Sequence, residues 1–361
     1  MSAPTSKPAD ALTYAAAGVD IEAGNEAVRR IKKMVARTRR PEQIDGLGGF
    51  AGLMGLPTGL TEPILVSCTD GVGTKLLVAI AMGKHDTVGI DLVAMNVNDL
   101  LCTGGSPLFL LDYIATGKLE TGVIEGIVSG VVEGCVQSNC ALIGGETAEL
   151  PGMYAEGHFD LAATAVGVVE KSKIWAPHCV REGDAVIALP SNGLHSNGYS
   201  LARRALLDAN YAGMTLASPL AGSGMDVGEA LLQPTRIYAA QMRKLHTLQG
   251  SPIHGAAHIT GGGLLENPQR ALPEDLMVEL DLSELPLPPV LAAIHNQGVD
   301  DTEMLRTFNC GVGMLLYVDP QRVDEICALL GEGVRAGKVM AAAQQQENLA
   351  ADRVRILHRR W

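Results

Sequence analysis

Residues Thr69 to Lys75 read Thr-Asp-Gly-Val-Gly-Thr-Lys and follow a short apolar run, Ile64 to Cys68. A carboxylate placed there can hold a hard cation, glycines let backbone N–H groups approach a phosphate, and a lysine can neutralise its charge. The Gly-x-x-x-x-Gly-Lys-Ser/Thr order of a P-loop is absent, because Leu76 follows Lys75. Asp70, Gly71, Gly73, Thr74 and Lys75 are therefore candidates for a nucleotide phosphate site of another design. Asp70 could equally do no more than cap the helix that follows. Lys75 speaks against so plain a role, since a cation in a first helical turn opposes the macrodipole unless an anion is near.

Three further runs carry similar chemistry. Gly89 to Leu100 reads as a helix with Asp91 in its first turn, where a carboxylate merely suits the dipole. Asp99 lies near the end of that helix, where the dipole disfavours it and a bound cation would offset the cost. Gly144 to Tyr154 leaves an expected strand at 141–143 through Gly144 and Gly145, then offers Glu146, Thr147 and Glu149. A solvated loop is the bland version, but paired glycines before a carboxylate point to a close approach of backbone to ligand. Ser191 to Ser200 follows another expected strand and places His195, Ser196 and Asn197 ahead of a helix, a ready anion site. His195 can orient a phosphate or move a proton near neutral pH, although Ser196 or Asn197 could also simply cap the helix. The glycines of Thr260–Gly263, notably Gly261 and Gly262, and those of Asn309–Gly313 are weaker candidates. Lys32 falls on the polar side of the first helix, where a solvated lysine is the default. The glycine cluster at 46–52 follows no strand, so it is not a dinucleotide fingerprint.

Those residues need a scaffold, and the apolar periodicity supplies one. Helices are expected over 25–38, 71–81, 88–101, 122–138, 198–209, 231–245 and 319–330. Strands are expected over 64–68, 108–115, 141–143, 161–169, 185–189, 277–281, 312–317 and 353–357. The charged, turn-rich stretch from Lys171 to Gly183 marks a domain boundary. The reading is a mobile tail over 1–12, an N-terminal domain over 13–172 and a C-terminal domain over 173–361. Strands and helices alternate in both, so the fold class is α/β, of the α+β type, each domain built on one mixed sheet.

Composition agrees. The 361 residues are 47% hydrophobic and only 4% aromatic, with 42 glycines, as in an Ala/Gly/Val-rich α/β enzyme. A net charge of −12 argues against a nucleic-acid partner. The seven cysteines (68, 102, 135, 140, 179, 310 and 327) show no C-x-x-C or zinc pattern and suit a reducing compartment. Met1 to Asp10 lacks the charged start and apolar core of a signal peptide, and no apolar stretch approaches the roughly 20 residues of a membrane helix. A cytoplasmic protein with no membrane partner is expected.

Taken jointly, the runs resemble the phosphoribosylformylglycinamidine cyclo-ligase (aminoimidazole ribonucleotide synthetase) family. The resemblance extends from Tyr14–Asn25 to about residue 340. It takes in the arginine pair before Pro41, Gly46 to Phe50, Thr69 to Lys75, Gly89 to Leu100, Leu111-Asp-Tyr113 and Ala115 to Lys118. Gly144 to Tyr154, His195 to Ser200, Pro234 to Tyr238, His258 to Gly263 and Arg306 to Met314 continue it. So many ordered motifs make the match specific, while the tail before Ala11 and the final residues look individual.

The resemblance implies a homodimer whose N-terminal sheets join into a barrel, with ATP bound in a cleft of that dimer. It implies an ATP-dependent ligase of purine biosynthesis that converts formylglycinamidine ribonucleotide to 5-aminoimidazole ribonucleotide, ADP and phosphate. On this reading Asp70, Asp99 and Glu146 are the Mg²⁺ ligands, oxygen donors of the right hardness. Asp70, Gly71, Gly73, Thr74, Lys75, Gly144, Gly145, Glu146 and Thr147 hold ATP. His195, Lys32 and Asp99 serve catalysis, and Ser196, Asn197, Gly261 and Gly262 bind substrate. Selenophosphate synthetases and thiamine-monophosphate kinases share only the acidic and glycine turns, and the former would be expected to carry a reactive Cys near the N-terminus, whereas the first cysteine here is Cys68. A non-catalytic nucleotide-binding subunit should have lost some of the three acidic residues, and all are present.

Overall fold

The structure, a computed structural model, describes residues 21–44, 48–342, 353–359 and 361. The expected tail over 1–12, the Tyr14 end of the first motif and the Gly46 end of the glycine cluster lie outside the described residues.

In the first half, helix α1 (Ile21–Val35) precedes strand β1 (Pro63–Gly71), helices α2 (Leu76–Met82) and α3 (Val88–Leu101) and strand β2 (Ser106–Thr116). Helix α4 (Thr121–Ser138) and strands β3 (Ala141–Glu149) and β4 (Phe159–Glu170) complete it. The four strands form one mixed sheet in the order β1-β4-β2-β3, in which only β2 and β3 run parallel. A helix that is apolar on all sides belongs in a core. Helix α3 is one: Val88, Leu92, Val93, Val97, Leu100 and Leu101 are all buried between the sheet and its neighbours. It takes Asp91, Asn96 and Asn98 into that core with it, and each therefore requires a partner.

Helix α3 is seated on α4 where Gly89 meets the turn around Gly130. A Cβ on Gly89 would run into the Ile127 carbonyl and the Val131 N–H, so the two backbones touch with no side chain between them. The other face of the sheet is covered by no helix among the described residues. Leu65, Leu111 and Tyr113 stand 62%, 38% and 40% exposed on it.

The second half runs β5 (Ala185–Pro190), α5 (Tyr199–Leu207), β6 (Pro219–Leu220), β7 (Met225–Asp226), α6 (Val227–Leu231), α7 (Ala239–Leu245) and β8 (Ile253–His258). It continues through α8 (Gly263–Glu266), β9 (Leu276–Asp281), α9 (Pro289–His295), α10 (Asp301–Thr307), β10 (Val312–Val318), α11 (Val323–Leu330), β11 (Val334–Ala341) and β12 (Val354–His358). Six of these strands form a second mixed sheet in the order β12-β9-β11-β5-β10-β8, while β6 and β7 pair by themselves. Every residue of β10 is buried, as its unbroken Val-Gly-Met-Leu-Leu-Tyr-Val sequence requires. No helix among the described residues is long and apolar enough to cross a membrane.

Three expectations are corrected. The helix expected over 231–245 survives only as α7, with α6 ending at Leu231, because Pro234 lacks an N–H and the residues around it bond elsewhere. The segment Gly144–Glu149 is not a loop. It is the second half of β3, paired in parallel with Leu111–Thr116 of β2. Strands β8 and β11 were not expected at all. The first has a single β-branched residue, Ile253, ahead of His254-Gly-Ala-Ala-His258, a weak strand signal.

Candidate active site at the domain junction

Alternate residues of a strand face opposite sides of its sheet. Near the end of β1, Cys68 and Asp70 face α3. The Cys68 thiol donates to the Asn96 carbonyl at 3.0 Å, and Asn96 Nδ2 donates to the Asp70 carbonyl at 3.2 Å. Burial chiefly, and then the Asp99 carboxylate, raise the pKa of Asp70 above the ordinary aspartate value, against the Gly71 N–H that Asp70 Oδ1 accepts at 2.7 Å. The same burial, with Asp99 and Asp70 adding to it, pushes the Cys68 thiol up to about 12.

Asp99 sits in the last turn of α3 and reaches across to the second domain. Its Oδ1 lies 2.8 Å from Nδ1 of His258, the last residue of β8. The Asp99 side chain is 37% exposed and that of His258 only 1%. One residue earlier, Asn98 Nδ2 donates to the Arg236 carbonyl at 2.8 Å and Asn98 Oδ1 accepts the Tyr238 N–H at 3.1 Å. These bonds are where the backbone groups of 235–238 go instead of into a continuous helix. Asp99, His258, Cys68, Thr103 and Arg270 line an open cleft of about 340 Å³ between the domains.

His195 stands behind this cleft, fully buried, with a left-handed φ of 61°. Burial first, then His258, Lys75 and Arg236, hold its pKa well below the ordinary histidine value, so the ring is neutral. Nε2 accepts the Asn192 N–H at 3.0 Å, which puts the ring proton on Nδ1. That buried Nδ1–H has no hydrogen-bond partner.

The neighbouring candidates gather here. The Ser196 hydroxyl lies 3.0 Å from that of Thr235, and the Thr74 hydroxyl 3.4 Å from that of Ser200. Asn197 Oδ1 would lie 3.6 Å from a Cβ on Gly261. The Gly261–Gly262 turn is held by buried Asn267, which accepts the Thr260 N–H at 2.7 Å and donates to the Gly261 carbonyl at 3.0 Å. Gly73 has a φ of 73° at the bend from β1 into α2, a conformation that favours glycine.

Lys75 departs from the expected phosphate contact. It is fully buried, and an ammonium has only three protons to give. They go to Asp91 at 2.8–2.9 Å, to the His195 carbonyl at 2.9 Å and to the Gln233 carbonyl at 2.7 Å. Asp91 Oδ1 also accepts the Thr235 N–H and hydroxyl, at 2.6 and 2.7 Å. Burial pulls the Lys75 pKa down and Asp91 opposes that.

The remaining candidates stand elsewhere. The strand register sets Asp70 opposite Ala163, Ala163 opposite Asp112 and Asp112 opposite Gly145. Three strand spacings, about 14 Å, therefore separate Asp70 from the Gly144–Thr147 end of β3. Glu146 pairs with Tyr113 on the uncovered face, away from α3. Lys32 is exposed in the last turn of α1, which packs chiefly on α4. One chain thus does not bring Glu146 to Asp70 and Asp99, and no group of three or more His, Cys, Asp or Glu able to hold a metal occurs among the described residues. His258 is the site residue that sequence reasoning left without a role. Its signal was its place at a strand end just before Thr-Gly-Gly-Gly.

Comparison with known proteins gives the family. Residues 58–169 match the family model described as AIR synthase related protein, N-terminal domain, and residues 181–346 match the corresponding C-terminal domain. A phosphoribosylformylglycinamidine cyclo-ligase of Sorangium cellulosum is 53% identical over 339 residues, covering 91% of this chain and 97% of that protein. One from Bifidobacterium animalis subsp. lactis is 49% identical over 344 residues, covering 93% and 99%. Among solved structures, a thiamine-monophosphate kinase from Stenotrophomonas maltophilia superposes with a TM-score of 0.64 at 20% identity, covering 91% of this chain and 95% of that one. The hydrogenase maturation protein HypE, in complex with ATP, gives 0.60 at 16%, covering 88% and 87%. Those two share the fold; the curated relatives share the sequence nearly end to end. The chain belongs to the phosphoribosylformylglycinamidine cyclo-ligase family of AIR synthase-related proteins.

Proposed function

We propose that this chain closes the imidazole ring of 5-aminoimidazole ribonucleotide from formylglycinamidine ribonucleotide, turning ATP into ADP and phosphate. An amide oxygen is a poor leaving group. Phosphoryl transfer from ATP to the formyl oxygen makes it a good one, the ribose-bearing nitrogen attacks that carbon, and phosphate and a proton depart as the ring closes. The observation that carries the reading is a cleft between the domains lined by Asp99, which His258 fixes, with Asp70 near enough for Asp99 to disfavour its charge. Burial and the Asp99 carboxylate both disfavour a charge on Asp70, which is the situation a cation offsets. Two carboxylates completed by phosphate oxygens and water is how Mg²⁺ is commonly held. When bound by Asp70 and Asp99 it would neutralise charge on the transferring phosphoryl group. His195 offers an Nδ1–H donor from a neutral ring, and Ser196, Asn197, Gly261 and Gly262 position the ribonucleotide.

The N-terminal domain, 13–172, serves ATP binding and dimerisation, and 173–361 forms the second wall of the cleft. Two copies pairing through their uncovered sheet faces would close a barrel over Leu65, Leu111 and Tyr113. Gly144, Gly145, Glu146, Thr147 and Lys32 would then reach a nucleotide only from the second copy. The substrates are soluble nucleotides, in keeping with a cytoplasmic enzyme. Leu111→Asp places a charge inside that barrel. It is expected to shift sedimentation velocity from dimer to monomer and to lower turnover at least tenfold, and a fully active monomer would rule the barrel out as part of the site.

Product analysis tests the function itself. ATP consumption should require the ribonucleotide and yield the aminoimidazole, ADP and phosphate in equal amounts. A phosphorylated small molecule as the stable product would instead make the chain a kinase.

A further inference from the structure

Four segments distant in sequence converge on one buried ammonium. The Lys75 Nζ of the first glycine turn meets Asp91 of α3, the His195 carbonyl of the 191–200 loop and the Gln233 carbonyl, all within 2.9 Å. Phosphate binding accounts for none of these contacts. Their common effect is on His195. Its left-handed backbone is a conformation that a non-glycine residue keeps only when its surroundings hold it there. Two donors lie near its carbonyl, Lys75 Nζ at 2.9 Å and the Tyr199 hydroxyl at 3.1 Å. The single Tyr199 proton has a nearer acceptor in the Leu231 carbonyl, at 2.5 Å. Lys75 is thus the principal donor that locks the carbonyl, while the Asn192 N–H orients the ring.

We propose that Lys75 is a positioning residue for the reaction: paired with Asp91, it grips the His195 carbonyl and so aims the unpartnered Nδ1–H of that histidine. The proposal rests on His195 taking part in the reaction, and the experiment separates the two. His195→Ala should lower kcat tenfold or more. A His195→Ala enzyme as fast as wild type would remove His195 from the reaction and the proposal with it.

The second arm replaces the buried pair as a unit, Lys75→Met with Asp91→Leu, so that no charge is left uncompensated. With His195→Ala impaired, the double variant should melt above Lys75→Met alone, keep its KM for ATP within twofold and lose kcat tenfold or more. A wild-type kcat would make Lys75 structural only and overturn the proposal. A tenfold rise in the KM for ATP would return Lys75 to the phosphates and overturn it equally. Should the apolar pair fail to fold, Lys75→Gln with Asp91→Asn decides. The shorter amide cannot reach all three partners, so kcat should fall threefold or more at unchanged KM, and a wild-type kcat would again overturn the assignment.

Discussion

Asp70→Asn is expected to lower turnover at least a hundredfold while leaving the ligand-free protein as stable as wild type, or more so. The two halves of that result have separate causes. A metal ion that spreads charge from a transferring phosphoryl group contributes several kcal/mol to the transition state, and a hundredfold loss is about 2.7 kcal/mol. An asparagine at 70 keeps an oxygen to accept the Gly71 N–H but no longer attracts a cation. Stability moves the other way because burial and Asp99 both disfavour a charge at 70. The neutral amide removes that penalty, as when a functional residue is exchanged for a better-fitting one. Turnover across a Mg²⁺ titration, set beside thermal midpoints, checks both parts. Unchanged Mg²⁺ dependence would take Asp70 out of the metal site, and a midpoint several degrees lower would show it to be structural.

Lys75→Met alone should be among the most damaging single changes to stability, about 3–5 kcal/mol. It strands Asp91, whose side chain is fully buried, with only the Thr235 N–H and hydroxyl to face a full negative charge. For a chain of this size the midpoint should fall about 4–7 °C. Differential scanning calorimetry reads it directly. A midpoint within a degree or two of wild type would mean that the junction relaxes to let water reach Asp91, and that the buried pair holds the domains together less than its geometry indicates.

Much of this architecture was legible in the residue pattern, and what was not failed for physical reasons. Val88–Leu101 was readable as a helix because its apolar residues recur at helical spacing, and Asp99 could be singled out because it opposes the dipole of that helix. The partner that fixes Asp99 could not be read. His258 lies at the end of a glycine- and alanine-rich strand whose pairing with β10 depends on residues more than fifty positions away. Lys75 misled for a related reason. In sequence it is a cation beside two glycines, which suits a phosphate. In three dimensions Asp91 and two carbonyls, one of them 158 positions away, claim all its protons. Glu146 shows the opposite limit. Its residue type suits a metal, but the strand order that sets it about 14 Å from Asp70 is a property of topology, which local sequence does not encode.

The seat of α3 on α4 bears on how such an enzyme could be altered. Asp91, Asn96, Asn98 and Asp99 all ride on a helix located by main chain resting on main chain at Gly89 and Gly130. An engineer trying to re-aim that helix has no side chain there to trim or swap, and any atom added must push the helices apart. The helix is the fixed jig of the molecule. New substrates would have to be fitted by recutting the loops at 191–200 and 260–263, which come to the jig from the other domain.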